Sequence, residues 1–363
     1  MNITKTVEKG LCVSCEICDA SCPFDAIDMI YNGGQFLPKV DFDKCTNCGF
    51  CLKVCPGIDI DLKKINKNSL EETICGNSLG FYSAYCNDVK TLNSSTSGGI
   101  ISTLTKKLLD EGEYSGAFLL HFETFDNKSA RLSCFSKSQD IIKCSGSKYI
   151  PASVYNVIKE LKQNKNPNYI IVGTPCQISG IKKFIFEEKI NDKDLLFLGL
   201  FCDRTFNFNI IRYFENLYKK KNEKLTKIDF RNKEKDGWPG HVKLYFDSGR
   251  ERIVDRKKRI EIKEYFQLER CLYCLDKLNI NADISVGDCY IYGKSSPERS
   301  SVIIRTDRGK IIFDKYKHLF SIEQSSQKSI LLSQGISNKK ENFSFSRFSD
   351  NYLDKKTQKK FRF

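Results

Sequence analysis

Two periods run along the chain. Apolar residues recur at three- and four-residue steps in Ile100, Ile101, Leu104, Leu108 and Leu109, and again in Val154, Val157, Ile158 and Leu161. That spacing puts them on one face of a helix. Between and after these lie short apolar runs at residues 114–122, 169–173 and 195–202. They read as buried strands, the last two each followed by a helical pattern, at 178–188 and 209–221. Strand followed by helix, repeated, predicts an α/β layer whose sheet is at least partly parallel. Beyond residue 224 the period drops to two, in 227–231 and 242–246, and Asp247-Ser248-Gly249 supplies a hairpin turn. Two further short strands are expected near 283–288 and 301–306. Polar stretches suggest boundaries: a Cys-rich unit over 1–62, a linker over 63–80, a body in two parts over 81–160 and 161–335, and a basic polar tail over 336–363.

Composition narrows the class. With 40% hydrophobic and 29% charged residues the 363-residue chain is globular in character. No apolar run approaches the roughly 18 residues of a membrane helix, and residues 1–9 have no apolar signal core, so a cytoplasmic protein without a transmembrane segment is expected. Seventeen cysteines, an odd number, fit a full disulfide framework poorly. In a reducing compartment such density points to metal binding or redox chemistry. The net charge is +14, yet residues 1–64 hold seven Lys against nine acids, or −2, leaving +16 for the remainder. The basic run Arg256-Lys257-Lys258-Arg259 is either a solvated face or a dock for an acidic redox protein. Aromatic residues of the tail, Phe343, Phe345 and Phe348, form no RNA-binding signature, and no nucleic-acid partner is expected.

The cysteines carry the sharpest signal. Cys12-x2-Cys15-x2-Cys18-x3-Cys22-Pro23 is followed by Cys45-x2-Cys48-x2-Cys51-x3-Cys55-Pro56. This is the bacterial two-cluster ferredoxin spacing, in which the fourth cysteine of each run serves the other cluster. Cys12, Cys15, Cys18 and Cys55 should therefore hold one [4Fe–4S] cubane, and Cys45, Cys48, Cys51 and Cys22 the second. Structural zinc favours two pairs of ligands instead. A unit this small carries single electrons and leaves no room for a substrate.

The body adds three small-residue turns. Ser97, Gly98 and Gly99 precede a helix, as do Ser145, Gly146, Ser147, Lys148 and Tyr149; free N–H groups at such starts suit a phosphate. Thr174, Pro175, Cys176 and Gln177 join a buried strand to a helix, where α/β sheets place ligands. Each alone could be a simple helix cap. Together with Phe230-Arg231-Asn232-Lys233, Gly237-Trp238 and the run from Ala282 to Asp288, they resemble the beta subunits of coenzyme F420 hydrogenase/dehydrogenase over roughly residues 81–335.

The resemblance implies an α+β ferredoxin-like N-terminal domain followed by an α/β flavin-binding body with a mixed sheet. It implies FAD at the Ser97–Gly99 and Ser145–Tyr149 loops and under Thr174, Pro175 and Gln177. It further suggests a third [4Fe–4S] cluster on Cys176, Cys202, Cys271 and Cys274, with unligated buried thiols as the alternative. Asp283 and Asp288 bind a ribose or hydroxyl group, or cap turns; Trp238 stacks on a flavin or anchors a hairpin. Cys75, Cys86, Cys134, Cys144 and Cys289 are expected to be packed. The implied function is an iron–sulfur flavoprotein oxidoreductase, taking electrons from ferredoxin or reduced coenzyme F420 to an organic acceptor. Polysaccharide biosynthesis is one setting for it. The alternative is an electron-transfer subunit of a hydrogenase or dehydrogenase with no substrate of its own. The sequence departs from the family where His-Gly is replaced by Asp203-Arg204, and where an aromatic pair after Asp288 is replaced by Cys289-Tyr290. No catalytic residue is assigned.

Overall fold

A computed structural model describes residues 1–58, 74–124, 129–164, 166–291 and 298–336. Most of the expected linker and all but the first residue of the expected tail lie outside these. The linker's described end is not a free spacer: Ile74 and Cys75 are buried, and Arg305 donates to the Cys75 carbonyl at 2.7 Å.

The N-terminal unit is built on one hairpin, β1 (Ile27–Asn32) and β2 (Gln35–Val40), paired from Ile27↔Val40 to Asn32↔Gln35. Gly33 and Gly34 turn it, both at positive φ, as a two-residue hairpin loop demands. Short helices Ile17–Ser21 and Phe50–Lys53 follow the two cysteine loops.

The body is an eight-stranded mixed sheet. Its strands are β3 (Gly80–Cys86), β4 (Gly116–Thr124), β5 (Ser129–Phe135), β6 (Tyr169–Gly173), β7 (Leu196–Leu200), β11 (Ile284–Asp288), β12 (Ser300–Ile304) and β13 (Phe320–Gln324), in the order β13-β3-β12-β11-β7-β6-β4-β5. The four central strands β11, β7, β6 and β4 run parallel, and every other pairing is antiparallel. Period-two alternation divides the side chains. Phe118, Ile171 and Phe197 enter the core on one face, with helices Tyr155–Gln163, Pro175–Glu187 and Asn209–Tyr218. Leu119, Val172 and Leu198 enter the other, with helices Ile100–Asp110 and Asp307–Tyr316. A separate antiparallel sheet sets β8 (Leu225–Asn232), β9 (His241–Phe246) and β10 (Glu251–Val254) side by side. The Asp247-Ser248-Gly249 turn closes the β9–β10 hairpin.

The N-terminal unit packs on the first face. Val154 N–H donates to the Cys15 carbonyl at 3.0 Å, and Lys183 to that of Cys55 at 3.1 Å. At Gly180 the approach is close: a Cβ would stand 2.2 Å from Ile17 and 3.2 Å from Pro56.

Candidate functional site

The two cysteine loops have matching backbones. Ser14 (φ 55°) and Glu16 (63°) in the first correspond to Asn47 (56°) and Gly49 (77°) in the second. Left-handed φ is uncommon for residues other than glycine. Its recurrence at equivalent places identifies a loop wound to present thiols. Backbone N–H groups point at sulfur: Ser14 to Cys12 at 3.4 Å, Ala26 to Cys22 at 3.4 Å, Gly57 to Cys55 at 3.3 Å.

Electrostatics sort the thiols into neighbourhoods. Burial pushes Cys12 up to about 12, with Cys55 adding to it. Burial also raises Cys15 and Cys18, which then feel Cys55, Cys12 and, for Cys18, Cys15. Burial raises Cys51 too, with Cys48 and Cys22 pressing the same way. Cys12, Cys15, Cys18 and Cys55 thus act on one another, as do Cys22, Cys48 and Cys51, and Cys18 also feels Cys51 across the two neighbourhoods. The Cys45 sulfur lies 3.8 Å from the Asn2 side-chain amide, which also donates to Asn47 of the second loop. Buried thiols that oppose one another's ionisation take up charge together only around cations, which fits iron. Among the described residues no three His, Cys, Asp or Glu side chains close on a single-ion site; a cubane makes no such demand, since each thiolate bonds a different iron.

From this unit the thiols lead into a cavity of about 720 Å³. Its floor is the carboxyl edge of the parallel strands, where α/β sheets bind ligands. Cys176 follows β6, Cys202 follows β7, and Asp288 ends β11. Cys271 and Cys274 come from the helical turn Glu269–Leu272 and the loop after it. All four cysteines line the cavity, and so does Cys15. Burial raises Cys176, which feels Cys274 in turn, and Cys15 feels Cys176.

Most of the expected ligand positions also line this space: Ser97, Gly99, Ser145, Gly146, Ser147, Lys148, Tyr149, Thr174, Pro175, Gln177 and Asp288. Two do not. Gly98 already donates its N–H to Ser300 Oγ at 3.0 Å, and a Cβ there would meet the Ala84 carbonyl oxygen at 2.4 Å. Its glycine serves close packing against β3 and β12, not a phosphate. Asp283 is spent on structure: it accepts from Phe197 N–H at 2.8 Å and from the Thr306 hydroxyl at 2.7 Å. Gln177 caps its helix, its Oε1 accepting from Thr174 N–H at 2.9 Å and the Thr174 hydroxyl at 3.0 Å. Lys148 donates to the carbonyls of Cys144, Ser145 and Gly146 at 3.0–3.3 Å, and burial lowers it to about 8. Trp238 donates to Asp288 at 3.3 Å and packs 5.2 Å from Tyr290, so it anchors a turn. Of the cysteines expected to be packed, Cys144 lines the cavity and Cys134 is exposed.

Comparison with known proteins now decides the family. The coenzyme F420 hydrogenase/dehydrogenase beta subunit profile matches in both parts, its N-terminal part over residues 81–159 and its C-terminal part over 167–328. The chain belongs to this family of beta subunits. In front of that body, residues 11–57 match a 4Fe-4S dicluster domain. One of the subunits of the F(420)H(2) dehydrogenase of Methanosarcina mazei is 24% identical over 86% of this chain and 84% of its own. The coenzyme F420-dependent sulfite reductase of Methanocaldococcus jannaschii is 25% identical over 85% of this chain, which spans 46% of that protein. In fold the chain is similar to a chain from the F420-reducing [NiFe] hydrogenase complex of Methanosarcina barkeri. There the TM-score is 0.55 at 19% identity, covering 77% of this chain and 98% of that one. No helix among the described residues is long and apolar enough to cross a membrane.

Within this body one charged cavity residue, Arg270, escaped sequence reasoning. Arg270 is buried, donates through Nε to the Gly57 carbonyl at 2.6 Å, and leaves Nη1 without a hydrogen-bond partner. It lies where its charge lowers Cys176. A buried cation calls for a counter-charge; an anionic four-thiolate cluster on the cavity cysteines supplies one, so the residues present fit such a group. Arg231 grips Asp288 at 2.6 and 3.2 Å, and Tyr290 donates to the same carboxylate at 2.8 Å. Of the four departures from the family pattern, Asp203, Arg204 and Tyr290 fall on the cavity wall and Cys289 is buried away from it. The signal that could have found Arg270 was its position beside Cys271.

Proposed function

We propose that this chain is an iron–sulfur flavoprotein oxidoreductase that exchanges electrons between a one-electron donor and a small organic acceptor. One observation carries the reading. A single cavity of ligand size is shared by the inner ferredoxin-type loop, through Cys15, by four body cysteines, and by the two small-residue loops. Cys12, Cys15, Cys18 with Cys55, and Cys45, Cys48, Cys51 with Cys22, hold two [4Fe–4S] clusters; Cys176, Cys202, Cys271 and Cys274 hold a third. FAD is held by Ser97 and Gly99 at the helix start, the Ser145–Tyr149 loop with its Lys148 charge, and the Thr174–Gln177 turn. A flavin stores two single-electron deliveries and releases them together, which is the conversion that clusters alone cannot make. Ferredoxin or reduced coenzyme F420 is the donor the family suggests.

The relatives' names, a dehydrogenase component and a sulfite reductase, support an oxidoreductase. The fold neighbour comes from a hydrogenase complex. That favours a second reading, in which the chain passes electrons to a partner protein and has no acceptor of its own.

Anaerobic purification tests the assignment. About 12 irons per chain are expected, four per cubane, together with a bound flavin. The double variant Cys271→Ser/Cys274→Ser should lose about a third of the iron and keep the rest. A folded double variant with unchanged iron excludes the third cluster; a wild-type chain that binds no flavin excludes FAD. Turnover of small acceptors by the isolated chain separates the first reading from the second.

A further inference from the structure

The basic run at 256–259 does not behave as one surface. It opens the helix Arg256–Phe266, and helical geometry divides it. Arg256, Arg259, Ile260 and Lys263, at steps of three, four and seven, line the cavity, whereas Lys257 is exposed and outside it. Arg259 lies over the Tyr149 ring at 4.8 Å, and its Nε is buried with no hydrogen-bond partner. Arg231 stands close enough to share the field of Arg259, as does Arg256. Three guanidinium groups thus gather at one wall. The carboxylate that Arg231 grips, Asp288, also accepts from Trp238 and Tyr290, so its lone pairs are taken. Among the described residues no ion pair joins a carboxylate to Arg256 or Arg259, although Asp255 feels the charge of Arg256. Like charges crowded in a partly dry wall are costly unless an anion joins them, and guanidinium forks match oxyanions in geometry.

We infer that this wall is an oxyanion site, and that the small-molecule acceptor carries a phosphate, carboxylate or sulfonate group bound by Arg256 and Arg259. The inference rests on the functional reading above. It assigns the flavin's own phosphates to Ser97 and Gly99 and to the Ser145–Lys148 loop, which adjoins the arginine wall through Tyr149. The same oxyanion chemistry could instead come from the flavin, and the test separates the two sources.

The test uses the oxidised, anaerobically purified chain and a probe pair of one shape, 2-naphthalenesulfonate and 2-naphthalenesulfonamide, measured by equilibrium dialysis. The anion should bind about tenfold more tightly than the amide, as one charged hydrogen-bonded contact is worth. R256Q/R259Q should abolish that preference while keeping iron and flavin, and K257Q/K258Q, with the same loss of charge, should preserve it. R256Q alone carries the comparison if the double variant does not accumulate. Equal affinity for the two probes in the wild type overturns the inference, as does a preference that survives in R256Q/R259Q. Loss of flavin with iron retained in R256Q/R259Q also overturns it, because the arginines then hold the flavin's phosphates. A wild-type chain that lacks flavin yet prefers the sulfonate sinks the functional reading and leaves the oxyanion site standing.

Discussion

The N-terminal unit and the cavity of the body both collect cysteines, but their surroundings differ. In the N-terminal unit the thiols are the core. Cys18, Cys22, Cys51 and Cys55 make up four of the eight buried members of its cluster, beside Ile3, Ala26, Ile27 and Val40. The body's four cysteines are half-buried at the edge of a sheet whose own core is built from Ile, Leu, Val and Phe. The charges differ as well. Around the first unit they are acidic: burial, then Glu16 and Asp28, raise the Asp19 carboxyl to about 6. Around the cavity cysteines stand Arg270 and, both paired with Asp203, Arg204 and Lys277, with Asp276 beside them; three cations face two carboxylates. Metal should therefore make the fold of one region and only occupy the fold of the other. The field should also favour electrons moving from the acidic unit toward the basic cavity.

The largest expected effect breaks the molecule along this line. Chelation of iron under reducing conditions should unfold residues 1–58, because what remains of that core is too small to stand alone. The body should stay folded. Limited proteolysis should then cut within 1–58 and leave the body intact. Cleavage throughout the body would show that it, too, depends on metal.

The same contrast explains what the sequence could disclose. The N-terminal chemistry was legible because the eight cysteines fall in two short runs whose local spacing announces a 4Fe-4S dicluster domain. The strand at Tyr169–Gly173 and the helices near residues 100 and 155 were legible for the same reason: their period is local. The cavity is not local. Asp283 and Asp288 are five residues apart in one motif, yet Asp283 clips β7 to the segment after β12 while Asp288 faces the cavity. Gly98 and Gly99 look alike in sequence, but only Gly99 lines the cavity. The helix Arg256–Phe266 has too few apolar residues to announce itself; it forms because Ile262 is buried and because Asp255 caps it, accepting from Lys257 N–H at 2.8 Å.

A smaller effect sharpens the comparison of fields. Arg270 joins the two regions, touching the loop after Cys55 and facing Cys176. Arg270→Gln keeps a donor for the Gly57 carbonyl and removes the charge. Reduction adds negative charge to a cluster, so loss of a buried cation should lower the midpoint potential. A drop on the order of 60 mV in one cluster, a tenfold change in a one-electron equilibrium, is expected in an EPR-monitored titration. The iron content should not change. If no potential moves, the guanidinium is packing only, and the proposed gradient loses its steepest point.

The smallest effect concerns the Ser145–Tyr149 loop of the cavity, which carries one lysine of its own. Burial holds Lys148 near 8, well below the ordinary lysine value near 10.4. Its ammonium folds the Ser145–Gly146 turn about itself through three carbonyls. A flavin phosphate at this loop prefers the charged form. By linkage it raises the lysine's affinity for its proton, and the proton raises the affinity for the flavin by the same factor. The sign follows. Below about pH 8 the charge is present and the flavin is held most tightly; as pH rises through 8 the free protein loses the charge and affinity falls. Dialysis at pH 7 and pH 9 should show flavin loss increasing several-fold at the higher pH, consistent with the loss of one nearby positive charge, since the three ammonium donors stay on the loop carbonyls. Lys148→Met should bind flavin weakly at both values and show little slope. The N-terminal clusters, which share no group with this loop, should keep their iron throughout. A slope that persists in Lys148→Met would place the responsible proton elsewhere on the cavity wall and would remove Lys148 from the cofactor site.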